Sequence, residues 1–444
     1  MGIFDALTTA VAGLQSQSFA LQNISGNIAN SQTVGYKETD TSFQDLVSQA
    51  ALGEQTAGGV FASSVASNAV QGTIQSATVA TDMAIDGNGW FVVAQPSTTG
   101  SVQPNAINYY TRRGDFQLNQ NGFLVNGAGY SLMGIPVDPA TGNPAGSVPQ
   151  VLQFNNNFLP AQATTNIGYQ ANLPSAPTTG VLVPGDFSVN PLAAGTGTVV
   201  ANDASTFTSQ SLDGGSITAY DSEGNPANVQ FRWAETSSSG GNNTWQLFYQ
   251  TNTNATGTQV AWQNTGTSFT FNSSGQLTSP TSPIVNVSNL AVNGDTIGNV
   301  SLNFGTNGLS QFASSTGTVQ INGLTQNGFT AGEMQSLSVD TQGQVVGSFS
   351  NGQTIALANI TLATFNGQES LQPLNGEAYA ATPESGQPIY STTGKVVGSS
   401  LEASNVDIAT QFSQLIVAQQ AYSANARVMT TANQMIQSLL TVIQ

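Results

Sequence analysis

Cysteine and histidine are both absent from this chain of 444 residues. Without cysteine, disulfides, thiolate metal sites and thiol nucleophiles are excluded. Without histidine, the commonest general base and the commonest transition-metal ligand are missing too. Basic residues are scarce. Lys37, Arg112, Arg113, Arg232, Lys395 and Arg427 stand against 23 acids, a net charge of 6 − 23 = −17. Nucleic acid and anionic membranes recruit clustered Lys and Arg, so neither is an expected partner. No stretch reaches the run of about 18 apolar residues that a membrane helix needs. These absences leave no catalytic, cofactor or metal constellation, and an enzyme is not expected.

What remains is 39% apolar, only 7% charged and contains 47 glycines. That suits turn-rich β structure with neutral polar surfaces, and the length allows two to four domains. No Lys or Arg precedes Lys37, so the basic region of a secretory signal is missing. Low Lys and absent Cys nevertheless suit an extracellular protein. Export without a cleavable signal reconciles the two.

Both ends carry helical periodicity. Phe4, Leu7, Val11, Leu14, Ser18, Leu21, Ser25 and Ile28 alternate by three and four residues, predicting a helix over 3–29. Leu7, Leu14, Leu21 and Ile28 form a wholly apolar phase, and Asn30 is placed to end the helix in a left-handed conformation. Ile408, Leu415, Tyr422, Met429, Ile436 and Ile443 recur every seven residues, with Phe412 and Leu440 at intervening positions. A second helix is expected over about 405–442, with Ser404 and Asp407 as a modified capping box. On periodicity alone, both could be core helices of one globular domain.

Between them, short apolar runs such as Trp90–Val93, Val229–Trp233, Trp245–Tyr249 and Ile355–Leu362 read as strands. Turn signals punctuate them, including Asn121-Gly122, Asn307-Gly308, Asn322-Gly323, Asn327-Gly328, Asn351-Gly352 and Asn366-Gly367. Strands do not alternate with helices, which argues against a doubly wound nucleotide-binding sheet. Composition shifts near Val148–Val151 and Asn327–Glu333.

The expected fold is therefore mixed, mainly β, and nested. Residues 1–30 and 404–444 form a helical coiled-coil layer, and 31–75 an extended linker. Residues 76–150 and 330–403 form a discontinuous β-rich middle domain around an inserted β-rich outer domain, 151–329. Two amphipathic helices cannot bury all their apolar surface on each other, so the pattern predicts assembly. The acidic turns Asp221–Asn225 and Asp138–Asn143 lack the spaced carboxylates of a calcium loop and read as β-turns.

Asn27-Ile28-Ala29-Asn30-Ser31-Gln32-Thr33-Val34-Gly35-Tyr36-Lys37 resembles the signature of the bacterial flagellar rod and hook family. In that pattern N-I-A-N, two variable residues, T, one more and G-Y-K follow the first helix. Asp82–Val93, Tyr110–Phe116 with Asn121–Asn126, and Ser404–Asp407 with Gln419–Arg427 resemble further segments of the family. The likeness covers roughly residues 1–150 and 330–444; Glu38, where relatives often carry a basic residue, departs from it. The long insertion favours the hook branch over the alternative, a distal rod subunit. A carbohydrate- or calcium-binding extracellular β protein is a more distant alternative.

The resemblance implies a subunit exported through the flagellar type III channel that polymerises into the curved tubular hook. Its partners would be copies of itself, the rod, the hook cap, the hook–filament junction proteins and the export apparatus. Within the motif, Asn27, Ala29, Asn30, Thr33, Gly35, Tyr36 and Lys37 shape the backbone. Tyr36 reads as a packed tyrosine and Lys37 as an ordinary solvated lysine. Arg112 and Arg113 are candidates for a carboxylate across a subunit boundary, or an exposed pair of little energetic worth. Arg427 on the long helix is a further candidate for an intersubunit salt bridge.

Overall fold

Helices form at the two ends and strands between them. A computed structural model describes residues 3–45, 59–95, 108–139, 141–154, 158–193, 197–239, 242–391 and 395–443. Part of the expected linker, 46–58, lies outside the described residues, as does position 140 of the Asp138–Asn143 turn. By internal contacts the chain divides into Met1–Asn157 with Met334–Gln444, and Phe158–Glu333.

In the first, discontinuous unit, α1 spans Ile3–Ala29, about 40 Å at 1.5 Å per residue. It contains no proline, and Asp5 in its first turn complements the dipole. Asn30 ends the helix, though not through a left-handed backbone. Its φ is not positive. Its amide N–H and side-chain Nδ2 both donate to the Gly26 carbonyl instead, at 3.1 and 3.0 Å, and Thr33 bonds back to it. The left-handed residue comes later, at Gly35 with φ 71°.

A β-hairpin follows, β1 (Thr39–Asp45) antiparallel to β2 (Val60–Ala66). A mainly antiparallel sheet then runs through Gly332–Val339, Gln344–Phe349, Thr354–Ile360, Ser131–Pro136, Trp90–Ala94, Asn108–Thr111 and Ala378–Ala380. Trp90–Ala94 is buried throughout, as a central strand covered on both faces should be. Its core includes Trp90, Val92, Tyr110, Phe365 and Tyr379.

The C-terminal helix starts later than the sequence suggests, at Ile408, and runs to Ile443. Asp407, not Ser404, is its cap. The Asp407 carboxylate accepts the N–H groups of Ala409 at 2.8 Å and Thr410 at 3.1 Å. Ser404 accepts only Val406 N–H, in the preceding loop.

The second unit packs two sheets and contains a short helix, α2 (Ala204–Ser209); the C-terminal helix is thus α3. A six-stranded antiparallel sheet includes Leu212–Tyr220, Pro226–Ser239, Asn242–Gln250 and Val260–Phe271. It faces a five-stranded mixed sheet centred on Asn166–Pro174. Tyr169, Phe231, Trp233, Phe269 and Phe304 meet between them edge-on or tilted, a favourable geometry for aromatic quadrupoles. Tyr169 hydroxyl accepts Trp233 Nε1–H at 3.0 Å and donates to the Gly214 carbonyl at 2.6 Å. The other face of the six-stranded sheet buries Phe248, Ala234 and Trp262 under Leu182 and Phe207.

One turn recurs in both units. Asn119, Asn126, Asp221, Asn272 and Asp340 each use a side-chain oxygen to accept the N–H groups two and four residues on. Three residues after each stands a glycine of positive φ. The signal is Asx-x-x-Gly, broader than Asn-Gly. It also explains why Asp221 is a turn residue: its own loop saturates the carboxylate and holds its pKa down, through Asn225 foremost. Asn322-Gly323, by contrast, is no turn. It lies inside the strand Gln320–Gln326, where Gln170 pairs Gly323 and Ala171 pairs Ile321, so Asn322 is the extra residue of a bulge.

Candidate functional site

The residues of the Asn27–Lys37 motif converge on a junction where α1, the hairpin and α3 leave the β body. Asn27 is buried at its centre. Its Oδ1 accepts the Tyr36 hydroxyl at 3.1 Å and Thr39 N–H at 3.0 Å. Its Nδ2 donates to Thr39 O at 3.0 Å and Gln411 Oε1 at 3.1 Å. Gln411 in turn donates to Glu38 at 2.6 Å. Asn405 takes Glu38 N–H at 2.7 Å and donates to Ser67. Burial raises the Tyr36 pKa above its ordinary value. It raises that of Glu38 too, with help from Asp40.

Lys37 is not solvated. It is 3% exposed and donates to Glu402 Oε1 and to the Val70 carbonyl, both at 2.6 Å. Glu402, wholly buried, also accepts Gly72 N–H at 2.9 Å and Arg112 Nη1 at 3.2 Å. Arg112 is likewise buried within its own chain. It donates to Gly87 O at 2.8 Å and lies 5.5 Å from the Trp90 ring centre. Two cations thus share one carboxylate, and carbonyls and an aromatic face take up the surplus charge. Burial lowers both cation pKa values, against the pull of Glu402. Arg113 grips Asp115 through two nitrogens, at 2.9 and 3.0 Å, and reaches Glu377 at 3.0 Å.

Beyond the junction, α1 and α3 lie antiparallel. Asn27 bonds Gln411, and fourteen residues earlier a Cβ on Gly13 would come within 2.7 Å of the Asn425 amide, fourteen residues later. Small residues permit this close approach: Ala10, Gly13 and Ala20 are buried on α1, and Ala418 and Ala432 on α3, whereas the buried Ser16 faces the hairpin and donates to the Val60 carbonyl at 3.0 Å. Leu7, Val11, Leu14, Leu21 and Ile28 are half-buried beside that line, as are Leu415, Met429 and Ile436. Ile408, Phe412, Tyr422 and Leu440 are exposed, with Ile416, Val417, Val428 and Met435. Arg427 is exposed, and the Ile443 side chain lies outside the described residues. Between Asp407 and the helix end Arg427 is the sole charge. Solvent therefore meets an apolar, almost uncharged helix face.

Residues 84–171 match a model of the flagellar hook protein FlgE/F/G D1 domain. Residues 188–329 match the flagellar basal body protein FlaE D2 domain, and 397–442 the flagellar basal body rod FlgEFG protein C-terminal. The flagellar hook protein FlgE of Escherichia coli K12 is 32% identical, over 98% of this chain and 99% of the relative. The chain belongs to the flagellar hook protein family. The Brucella suis hook protein FlgE is 29% identical over 99% of both chains. The crystal structure of Helicobacter pylori flagellar hook protein FlgE2 covers 74% of this chain and 99% of its own, with a TM-score of 0.50 at 14% identity, a likeness of fold.

Within this hook-family chain, Ala29 is exposed and Thr33 half-buried, while Gly35 packs against the backbone of Arg112 and Arg113. Sequence reasoning missed Glu402, Gln411 and Glu369, whose carboxylate holds Asn68 and Ala69 N–H, each at 2.9 Å, and it read Asn405 only as part of the Ser404–Asp407 segment, without its bonds to Glu38 and Ser67. None stands in a periodic pattern. The available signal was chemical: a chain with six basic residues, one of them in a motif, needs a matching acid if that base is buried.

Proposed function

We propose that this hook subunit polymerises through its terminal helices into the curved tube that joins motor and filament. The single observation behind the reading is the antiparallel α1–α3 pair, whose outer face leaves Phe412, Ile416 and Val417 half or more exposed. A contiguous apolar face of this kind is costly in a monomer and becomes favourable when a like surface covers it, since almost no charge opposes the approach. In this reading residues 1–30 and 404–444 form the inner layer. The segment 31–75 joins them to a middle domain of 76–150 and 330–403, and 151–329 face outward. Few charges on the outer domain let neighbours exchange neutral polar contacts as the hook bends. Introducing charged pairs there and finding bending unchanged would count against that last step.

The finer expectations belong to the same reading. Copies of the chain are the main partner, and rod, hook cap and hook–filament junction proteins meet the ends of the polymer. The subunit leaves through the flagellar export apparatus and acts outside the cell. Arg427, exposed on α3, is the candidate for an ion pair between copies. The test is electron microscopy of purified full-length chain beside variants lacking residues 1–30 or 405–444. Curved tubes from the full chain and none from the truncations are expected. A stable full-length monomer at high concentration would overturn the reading, and short straight rods would favour a rod-type subunit.

A further inference from the structure

We propose that Glu402 is a positioning residue that couples the terminal helix pair to the β body, so that the joint between them is stiff. The inference rests on the assembly reading above. The chain crosses between the β body and its helix-and-hairpin end at 67–73 and at 402–407, and both crossings, together with the turn at 35–38 that joins α1 to the hairpin, are tied to this one residue. Gly35 N–H donates to the Glu402 backbone carbonyl at 2.8 Å. Lys37 and Gly72 N–H reach its Oε1 at 2.6 and 2.9 Å. From the body, Arg112 reaches Oε2 at 3.2 Å.

A joint built of apolar contacts could slide through intermediate positions. This one cannot, because partial opening strands two buried cations without their only carboxylate among the described residues. The joint is either closed or fully open. The packing leaves no slack: a Cβ on Gly72 would lie 1.9 Å from the Ala403 carbonyl. Around it, Asn405 and Glu369 pin the returning segment at Ser67, Asn68 and Ala69, and the Gln71 side chain of that segment accepts Gly87 N–H and donates to the Ile85 carbonyl of the body. Bending of the polymer is thereby directed away from this joint.

The experiment compares full-length Glu402→Gln, which keeps shape and removes charge, with Lys37→Met, which leaves the Arg112–Glu402 pair intact. Asp86→Asn, at the exposed Lys395 pair, is the control. In the monomer, hydrogen exchange at Gly35 and Gly72 should rise at least about tenfold in Glu402→Gln, less in Lys37→Met and not in the control. Exchange across Trp90–Ala94 should stay unchanged. In polymers imaged by electron microscopy, the spread of curvature should widen about twofold or more for Glu402→Gln. Unchanged exchange, or loss of the Trp90–Ala94 strand together with the junction, would make Glu402 an ordinary structural residue. Wild-type chain that forms no tubes would defeat the assembly reading alone, because the exchange result decides the coupling role without it.

Discussion

Replacing Gly35 by alanine should open the junction, and the magnitude can be worked from local geometry. Gly35 has φ 71°, a region that costs an L-residue about 1–2 kcal/mol. The new Cβ would lie 2.7 Å from Arg113 N and 2.8 Å from the Arg112 carbonyl carbon. Both are backbone atoms, and both residues are anchored by ion pairs to Glu402, Asp115 and Glu377, so the clash is not relieved by a side-chain rotation. Overpacking of this kind costs about 1–3 kcal/mol. The total, about 2–5 kcal/mol, corresponds to a shift of roughly 30-fold to several thousand-fold in the local opening equilibrium. Hydrogen exchange in graded urea resolves peptides of the two units and is the appropriate assay. Gly26→Ala is the internal control: nothing lies within 4 Å of its new Cβ, and the change should stabilise α1 by about 0.5–1 kcal/mol. A Gly35→Ala loss below about 0.5 kcal/mol, or an equal loss in Asn242–Gln250, would refute the reasoning.

Removing the α3 cap with Asp407→Ala should cost about 1 kcal/mol, read as fraying of residues 408–412 by exchange, whereas Ser404→Ala should leave that turn intact. Tyr169→Phe strands Trp233 Nε1 and the Gly214 carbonyl in the aromatic core, so the inserted unit should lose about 2–4 kcal/mol in urea denaturation. The raised Glu38 pKa means the folded chain holds that proton more tightly than the unfolded chain. Its stabilising contribution is full below the ordinary value, about 4.3, and is lost as pH rises through the raised one. Glu38→Gln should therefore gain on wild type in thermal melts as pH is brought from 4 to 7; a pH-independent difference would contradict this.

The sequence made the terminal helices legible because seven-residue periodicity survives over long stretches, and α1 spans the predicted residues. Strands such as Trp90–Ala94 were legible as apolar runs. What escaped was set by long-range pairing. Asn322-Gly323 has the composition of a turn, and only the register against Gln170 and Ala171 makes it a bulge. Asp407 and Ser404 are both good caps, and which one starts the helix depends on where Asn405 is held by Glu38 and Ser67. Lys37 read as solvated because lysine seldom enters a core unpaired. Its partner lies 365 residues away, a distance no local pattern spans. The close helix contact through Ala10, Gly13 and Ala418 was likewise hidden, since heptads mark the large apolar residues and not the small ones that let two helices approach.

Assembly should bury the outer face of the terminal helix pair under other copies of the chain. Because the chain has no cysteine, Val417→Cys provides a unique thiol at a position 65% exposed in the monomer. Its labelling rate should be measured in the monomer and in assembled polymer under one set of conditions. Labelling should be rapid in the monomer and strongly protected in the polymer, with an exposed site on the inserted unit, such as Ser274→Cys, less affected. Equal labelling of Val417→Cys in both states would contradict that burial.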